Sequence, residues 1–268
     1  ICELPTAFRG SYGEGKPLVA ILAEYDALPK LGHACGHNII AASAVGAAVA
    51  SKLAIDQFGG KIIVVGTPAE EIYGGKVKMV ERGAFDNLDI AMMVHPAPYD
   101  SVTIKALACH TLEVEFYGKA AHAAAQPEVG VNALEAMLQS FNAINSLRQH
   151  IKDRARIHGI ITDGGEAANI IPAHSAGIFI VRAEDNTYLD ELRQKVINCF
   201  MGAATTSGAR LEYRWGDVQY APMRNNLTLA QLFGQNMEVL GRTVKLTSPR
   251  ASFGSTDMGN VSQLVPSI

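Results

Sequence analysis

Three short apolar runs, each ending in ionisable residues, constrain this chain most. Pro17–Ala23 (PLVAILA) leads into Glu24 and Asp26, Lys61–Thr67 (KIIVVGT) into Glu70 and Glu71, and Ile90–Val94 (IAMMV) into His95. Continuous apolar runs of this length fit strands buried on both faces, as in parallel sheets. A small-residue, Ala-rich helix over 38–53, with Asn38 as N-cap, and a helical segment over 76–83 alternate with them. This is the rhythm of an α/β layer fold with a central, mostly parallel sheet. In such sheets ligands bind beyond the carboxyl ends of the strands, where these polar residues fall.

The pattern changes in the middle of the chain. Leu112, Val114 and Phe116 alternate with Thr111, Glu113 and Glu115, the period-two pattern of a half-exposed strand. Leu134, Met137, Leu138, Phe141 and Ile144 recur at helical spacing, as do Leu189, Leu192, Val196, Ile197 and Phe200. With strands near 156–162 and 175–183 and a last alternating strand holding Leu211, Tyr213 and Trp215, the order is βαββαβ, a ferredoxin-like unit. Two domains follow: residues 1–108 and 216–268 form the α/β domain, and 109–215 are inserted into it. A helix over 227–240 returns the chain to the first domain.

Bulk properties narrow the partners. The 268 residues are 48% hydrophobic with a net charge of −3 and carry no basic stripe, which argues against nucleic acid. No continuous apolar run reaches ~18 residues, so no membrane span is expected. Four scattered cysteines (Cys2, Cys35, Cys109, Cys199) fit a reducing, cytoplasmic setting better than a disulfide framework. Both ends look cut: the chain opens on Ile1 without a signal-peptide pattern and closes on an apolar run, so a fragment is expected.

The chemistry concentrates in His33-Ala34-Cys35-Gly36-His37, which follows an exposed-looking Glu24-Tyr25-Asp26. A thiolate and an imidazole two residues apart suit a borderline-soft divalent ion. Alone, the loop fits an ordinary tight turn equally well. Alone, Glu70-Glu71 fits helix N-terminal charge better than a site; beside Cys35, His37 and His95, two adjacent carboxylates point to a compensating cation. His122, a single polar ring in an Ala run, fits a solvated loop histidine as readily as a functional one. Gly10–Lys16 (GSYGEGK) has phosphate-loop spacing through its lysine, but Pro17 follows and the segment precedes a strand, so it reads as a surface turn.

YDALP (25–29), GHACGHN (32–38), PAEE (68–71), VHP (94–96), GKAAHAA (118–124), ANIIP (168–172) and GSTD (254–257), in this order, resemble the metal-dependent amidohydrolase and peptidase family of aminoacylase, carnosinase, the indole-acetyl-amino-acid hydrolases and aminobenzoyl-glutamate hydrolase. The Cys-containing loop resembles the amidohydrolase branch. Asn38, where many members of that branch have Asp, leans toward its dipeptidase-like and aminobenzoyl-glutamate-like members.

The resemblance implies hydrolysis of the amide bond of an N-acyl amino acid or dipeptide at two divalent metal ions, zinc or manganese, with cobalt or nickel as alternatives. Its ligands would be Cys35, His37, Glu71 and His95, with Glu70 as general base and then acid, and Asp26 orienting the site. The inserted domain would be a lid and homodimerisation domain, offering His122 to stabilise the oxyanion and Asn169 and Arg182 to bind the substrate's carboxylate. Arg182 also fits a solvated or ion-paired arginine on a lid strand. The family's remaining ligand, a histidine after GSTD, is missing here, since the last histidine is His174; it is expected just beyond Ile268. That gap leaves a catalytically inactive binding or regulatory homologue as the alternative.

Overall fold

The computed structural model describes residues 1–246 and 253–268. Its contacts divide the chain into two compact units, Ile1–Leu107 with Tyr220–Ile268, and Ala108–Gln219.

Unit 1 is built on strands β1 (Phe8–Glu14), β2 (Leu18–Glu24), β3 (Gly60–Thr67) and β4 (Ile90–Met92), in the sheet order β1-β3-β2-β4. β2 is parallel to both β3 and β4, whereas β1 pairs antiparallel with β3. The three apolar runs are thus adjacent parallel strands sharing one carboxyl edge. Pro266–Ile268 continue this arrangement beside β4: Ala91 N–H donates to Pro266 O, and Met93 N–H to Ile268 O. Helices α1 (His37–Ala50), α2 (Lys52–Phe58), α3 (Glu70–Tyr73) and α4 (Gly75–Glu81) follow the first two parallel strands. Leu22, Ile63, Val65, Met79, Phe85, Met258 and Val261 form the core.

Unit 2 contains β5 (Ala108–Tyr117), α5 (Ala133–Leu147), β6 (Arg156–Asp163), β7 (His174–Ala183), α6 (Asn186–Ser207) and β8 (Arg210–Tyr220). The βαββαβ order and the sheet order β6-β7-β5-β8 make it ferredoxin-like. Ala108, His110, Leu112, Val114 and Phe116 are the buried alternate residues of β5. Phe179 meets Phe200 edge-to-face at 4.9 Å, tying β7 to α6 in the core. Among the described residues of unit 1, α7 (Leu227–Val239) and α8 (Met258–Leu264) complete the helices.

Several expectations are corrected. Gly10–Lys16 is not simply a surface turn, because Gly10 to Glu14 belong to β1. That strand is exposed along nearly its whole length, so burial leaves no apolar signature on it. Asn38 does not cap α1; the cap position is Gly36, at φ 75°, and no side chain caps the helix. Leu138 is exposed, and α5 buries Ala133 and Ala136 instead. Tyr213 is also exposed. Finally, the 22-residue helical run His37–Phe58 is long and apolar enough, by length and composition, to cross a bilayer; it opens on His37, which is buried at the carboxyl edge of the sheet.

Candidate metal centre

The carboxyl edge gathers the residues that the three strand ends predicted. β2 carries the chain to Glu24 and Asp26, the following loop presents Cys35, and α1 begins on His37. Gly36 makes this path possible: its backbone is left-handed, and a Cβ there would lie 2.9 Å from the Pro96 ring. β3 ends in Pro68-Ala69, where Ala69 adopts φ 65°, a conformation that costs an L-residue roughly 1–2 kcal/mol. This turn starts α3 on Glu70 and Glu71. It closes on Gly75, whose Cα leaves no room for a side chain because a Cβ would meet Pro68 O at 1.8 Å. Tyr220 OH donates to Glu70 O at 2.6 Å and holds the turn from outside.

Two overlapping sets of ligand atoms converge here, Cys35 with His37 and Glu71, and Glu24 with His37 and His95, each within 4.8 Å among themselves. Both imidazoles are oriented through the backbone. His37 Nδ1 lies 3.0 Å from Asp26 O, and His95 Nδ1 2.9 Å from Pro96 O. A carbonyl only accepts, so each Nδ1 carries the proton and each Nε2 presents its lone pair. Asp26 Oδ2 accepts the Glu71 N–H at 3.0 Å.

The donor set fits divalent ions. Asp26 Oδ1 and Glu71 Oε1 are buried without a hydrogen bond, although His37 nitrogens lie 3.5 and 3.7 Å from them. These contacts are too long for hydrogen bonds. Uncompensated carboxylate oxygens beside a thiol and two lone-pair imidazoles are what a zinc- or manganese-type ion neutralises. A hydrogen bond to Glu71, together with burial, raises the Cys35 thiol to about 11. Burial, reinforced by Asp257, pushes the Glu70 carboxyl up to about 8.

Sequence reasoning missed three members. Glu24 is not exposed but 1% accessible, and its Oε1 lies 3.0 Å from His37 Nε2. Its Oε2 accepts from Lys76 Nζ, which is fully buried and donates also to Asp257 Oδ1 at 2.7 Å. Burial alone would pull the Lys76 ammonium down; Asp257 and Glu24 more than offset this and hold it above the usual lysine range. The sequence signal for Asp257 was its place in the GSTD motif. Lys76 had none beyond its position after the paired carboxylates and a Gly-Gly break.

Unit 2 brings two predicted residues together. His122 bridges to Ile170, Ala123 N–H donates to Asn169 O at 3.0 Å, and Ile171 N–H donates to Ala121 O, so the loops of His122 and Asn169 are zipped. His122 Nδ1 accepts from Ala125 N at 3.1 Å and from Ala124 N at 3.3 Å, which leaves Nε2 as the protonated, outward nitrogen. Arg182 is not in this cluster. It pairs with Cys109 near the far end of β7, whereas Asn169 precedes that strand, so about 25 Å of extended chain or more lies between them. Arg182 Nε lies 3.4 Å from His158 Nε2.

Residues 109–204 match the family described as peptidase dimerisation domain. The chain is 41% identical to a Xaa-Arg dipeptidase of Mus musculus over 99% of its own length and 64% of that protein. It is 34% identical to one of the p-aminobenzoyl-glutamate hydrolase subunits of Escherichia coli (strain K12), over 83% of this chain and 51% of that one. The chain thus spans about two thirds of the first relative and half of the second. Its fold is similar to that of a Bacillus subtilis protein described as a dinuclear metal binding peptidase, with a TM-score of 0.71 at 21% identity, covering 98% of this chain and 74% of that one. Over nearly its whole length the chain is thus similar to members of the amidohydrolase and peptidase family that its motifs resemble.

Proposed function

We propose that the protein hydrolyses the amide bond of a dipeptide or N-acyl amino acid with two divalent ions, and that it acts as a homodimer through unit 2. The observation that carries this reading is the convergence of Cys35, His37, Glu71 and His95 at one sheet edge, with Glu70 beside them. Bound there, zinc or manganese ions, or cobalt or nickel, would supply Lewis acidity that acidifies a water and polarises the scissile carbonyl.

The chain's own residues do the rest. Glu70 takes a proton from the attacking water and passes it to the leaving amine. Such proton transfer contributes roughly 10²–10⁴-fold. A carboxyl raised to about 8 in the metal-free protein is drawn back toward neutrality by nearby cations, which matches it to both transfers. Asp26 holds the Glu71 backbone and the His37 ring in place. His122, with its proton on Nε2, is suited to donate to the oxyanion. Asn169 and Arg182 are assigned to the substrate's carboxylate. Because a strand's length separates them, they would serve one carboxylate only as contributions from two copies.

The similarity to a Xaa-Arg dipeptidase makes dipeptides ending in arginine the first substrates to test, with p-aminobenzoyl-glutamate next. The experiment measures amino acid released by the full-length protein from a panel of dipeptides and N-acyl amino acids. The expected result is release that chelator abolishes and Mn²⁺ or Zn²⁺ restores. No metal-dependent release across the panel overturns the reading. Sedimentation at assay concentration tests the dimer.

A further inference from the structure

Glu24 takes no part in the ligand set implied by the family resemblance, yet it is the most deeply buried carboxylate facing His37. An ionised carboxylate at this depth requires partners. Its Oε2 is taken by Lys76 Nζ. Lys76 is bracketed in turn by Asp257, which accepts from Nζ through Oδ1 at 2.7 Å and from the Lys76 backbone N–H through Oδ2 at 2.8 Å. That N–H lies in the first turn of α4, where no intrahelical acceptor exists, so Asp257 satisfies an orphan donor and fixes the lysine together. The bracket leaves one Glu24 oxygen, Oε1, aimed at His37.

Oε1 lies 3.0 Å from His37 Nε2. Since the Asp26 carbonyl holds the proton on Nδ1, a neutral His37 turns a lone pair toward a carboxylate oxygen. Two such atoms repel at this distance unless a proton or a cation is shared. Ligands of one zinc-type ion, each about 2.0–2.2 Å from it, lie roughly 3.0–3.5 Å apart. The third member of the group is His95, whose Nε2 is likewise freed by a backbone carbonyl on Nδ1. Two imidazoles and a carboxylate form a three-ligand set of the kind that leaves a coordination position open.

We propose that Glu24 is a direct metal ligand, joining His37 and His95 around one ion while Cys35 and Glu71 serve the other, and that Lys76 and Asp257 form the bracket that aims it. This rests on the two-metal reading above. It adds a ligand to that set, and it gives the buried lysine the task of offsetting the added carboxylate charge.

The experiment titrates Co²⁺ into the metal-free full-length protein and its Glu24→Gln variant. It follows the visible Co²⁺ absorption and counts bound ions after gel filtration. The wild type is expected to bind two ions per chain. In the variant one of the two affinities falls by at least about 10-fold and the absorption of that ion shifts. Two ions bound with unchanged affinities and an unchanged spectrum in the variant overturn this inference and leave the two-metal reading standing. No bound ion in the wild type overturns both. Should Glu24→Gln fail to fold with Lys76 half unpaired, the triple variant Glu24→Gln/Lys76→Met/Asp257→Asn carries the same measurement with every charge of the bracket removed. A crystal structure of the Co²⁺-loaded wild type decides independently of any variant. Oε1 of Glu24 within about 2.3 Å of an ion supports the assignment, and a Glu24 carboxylate bonded only to His37 through Oε1 and to Lys76 through Oε2 overturns it.

Discussion

Asp26 reaches from the end of β2 to the start of α3, where its Oδ2 accepts the backbone N–H of Glu71 at 3.0 Å. Its own carbonyl accepts from His37 Nδ1. One residue therefore sets the position of one proposed ligand and the tautomer of another. Asp26→Ala removes the first contact and leaves the second, since the carbonyl is backbone. The expected outcome is a roughly 10–100-fold loss of metal affinity and activity, the usual cost of removing a group that orients ligands. Metal titration beside kcat measurement on the full-length protein checks it. Unchanged affinity would show that α3 is held well enough by the Ala69 turn and Tyr220.

Glu70 should separate chemistry from binding. Glu70→Gln is expected to lower kcat by roughly 10²–10⁴-fold while both ions stay bound. The metal-free protein supplies a second readout. Burial raises the Glu70 carboxyl to about 8, so between its ordinary value and about 8 the folded state holds a proton that the unfolded state has released. The Glu70 contribution to stability therefore falls as pH rises through this window. Without metal, Glu70→Gln should melt above the wild type at about pH 8–9, and the advantage should vanish near pH 4. Thermal melts with chelator present at both pH values test this sign.

The legible parts of this molecule were those where burial is two-sided or strictly alternating. β2 and β3, covered on both faces, read as apolar runs, and β5 read by its period of two. β1 did not, because an exposed antiparallel edge strand with glycines at 10 and 13 carries no such pattern. The site was legible where its residues sit on strand ends and in one short loop. It was illegible where it depends on distant pairing: Asp257 lies 181 positions from Lys76, and neither charge shows in sequence that it is buried. Glu24 read as exposed because an acidic residue usually is. What keeps it inside is the lysine, a partner only the tertiary fold supplies.

Within the HACGH loop, Cys35 and His33 should behave oppositely. His33 is exposed and absent from both ligand groups, so His33→Ala is expected to leave metal content unchanged. Cys35, hydrogen-bonded to Glu71 and raised to about 11, is a protonated thiol near neutral pH in the metal-free protein. Binding as a thiolate must release that proton, so metal affinity should strengthen with rising pH. Calorimetry in buffers of differing ionisation enthalpy should find about one more proton released per chain at neutral pH by the wild type than by Cys35→Ala, the remaining release coming from Glu70 as the cations lower its raised value. Loss of metal from His33→Ala would show that the loop's ligands are assigned wrongly.

Lys76 tests whether the site's foundation is ionic. It is completely buried between Glu24 and Asp257, carboxylates that are themselves 1% and 0% exposed. Lys76→Met removes the cation while keeping much of the side chain's volume. It leaves two carboxylates close together in a low-dielectric interior, each with an oxygen that has lost its charged partner. Breaking a buried pair on one side typically costs about 3–5 kcal/mol, and here the lysine serves two acceptors. The triple variant Glu24→Gln/Lys76→Met/Asp257→Asn removes every charge of the bracket, and the amide oxygen it places at position 257 can still accept the backbone N–H of residue 76. Buried ion pairs replaced as a set by neutral groups are often tolerated, so the triple variant should recover most of the loss. Denaturant unfolding of the metal-free proteins gives both values. If Lys76→Met is as stable as the wild type, the carboxylates are taking up protons in its place. In that case the stability of Lys76→Met should fall with rising pH more steeply than that of the wild type.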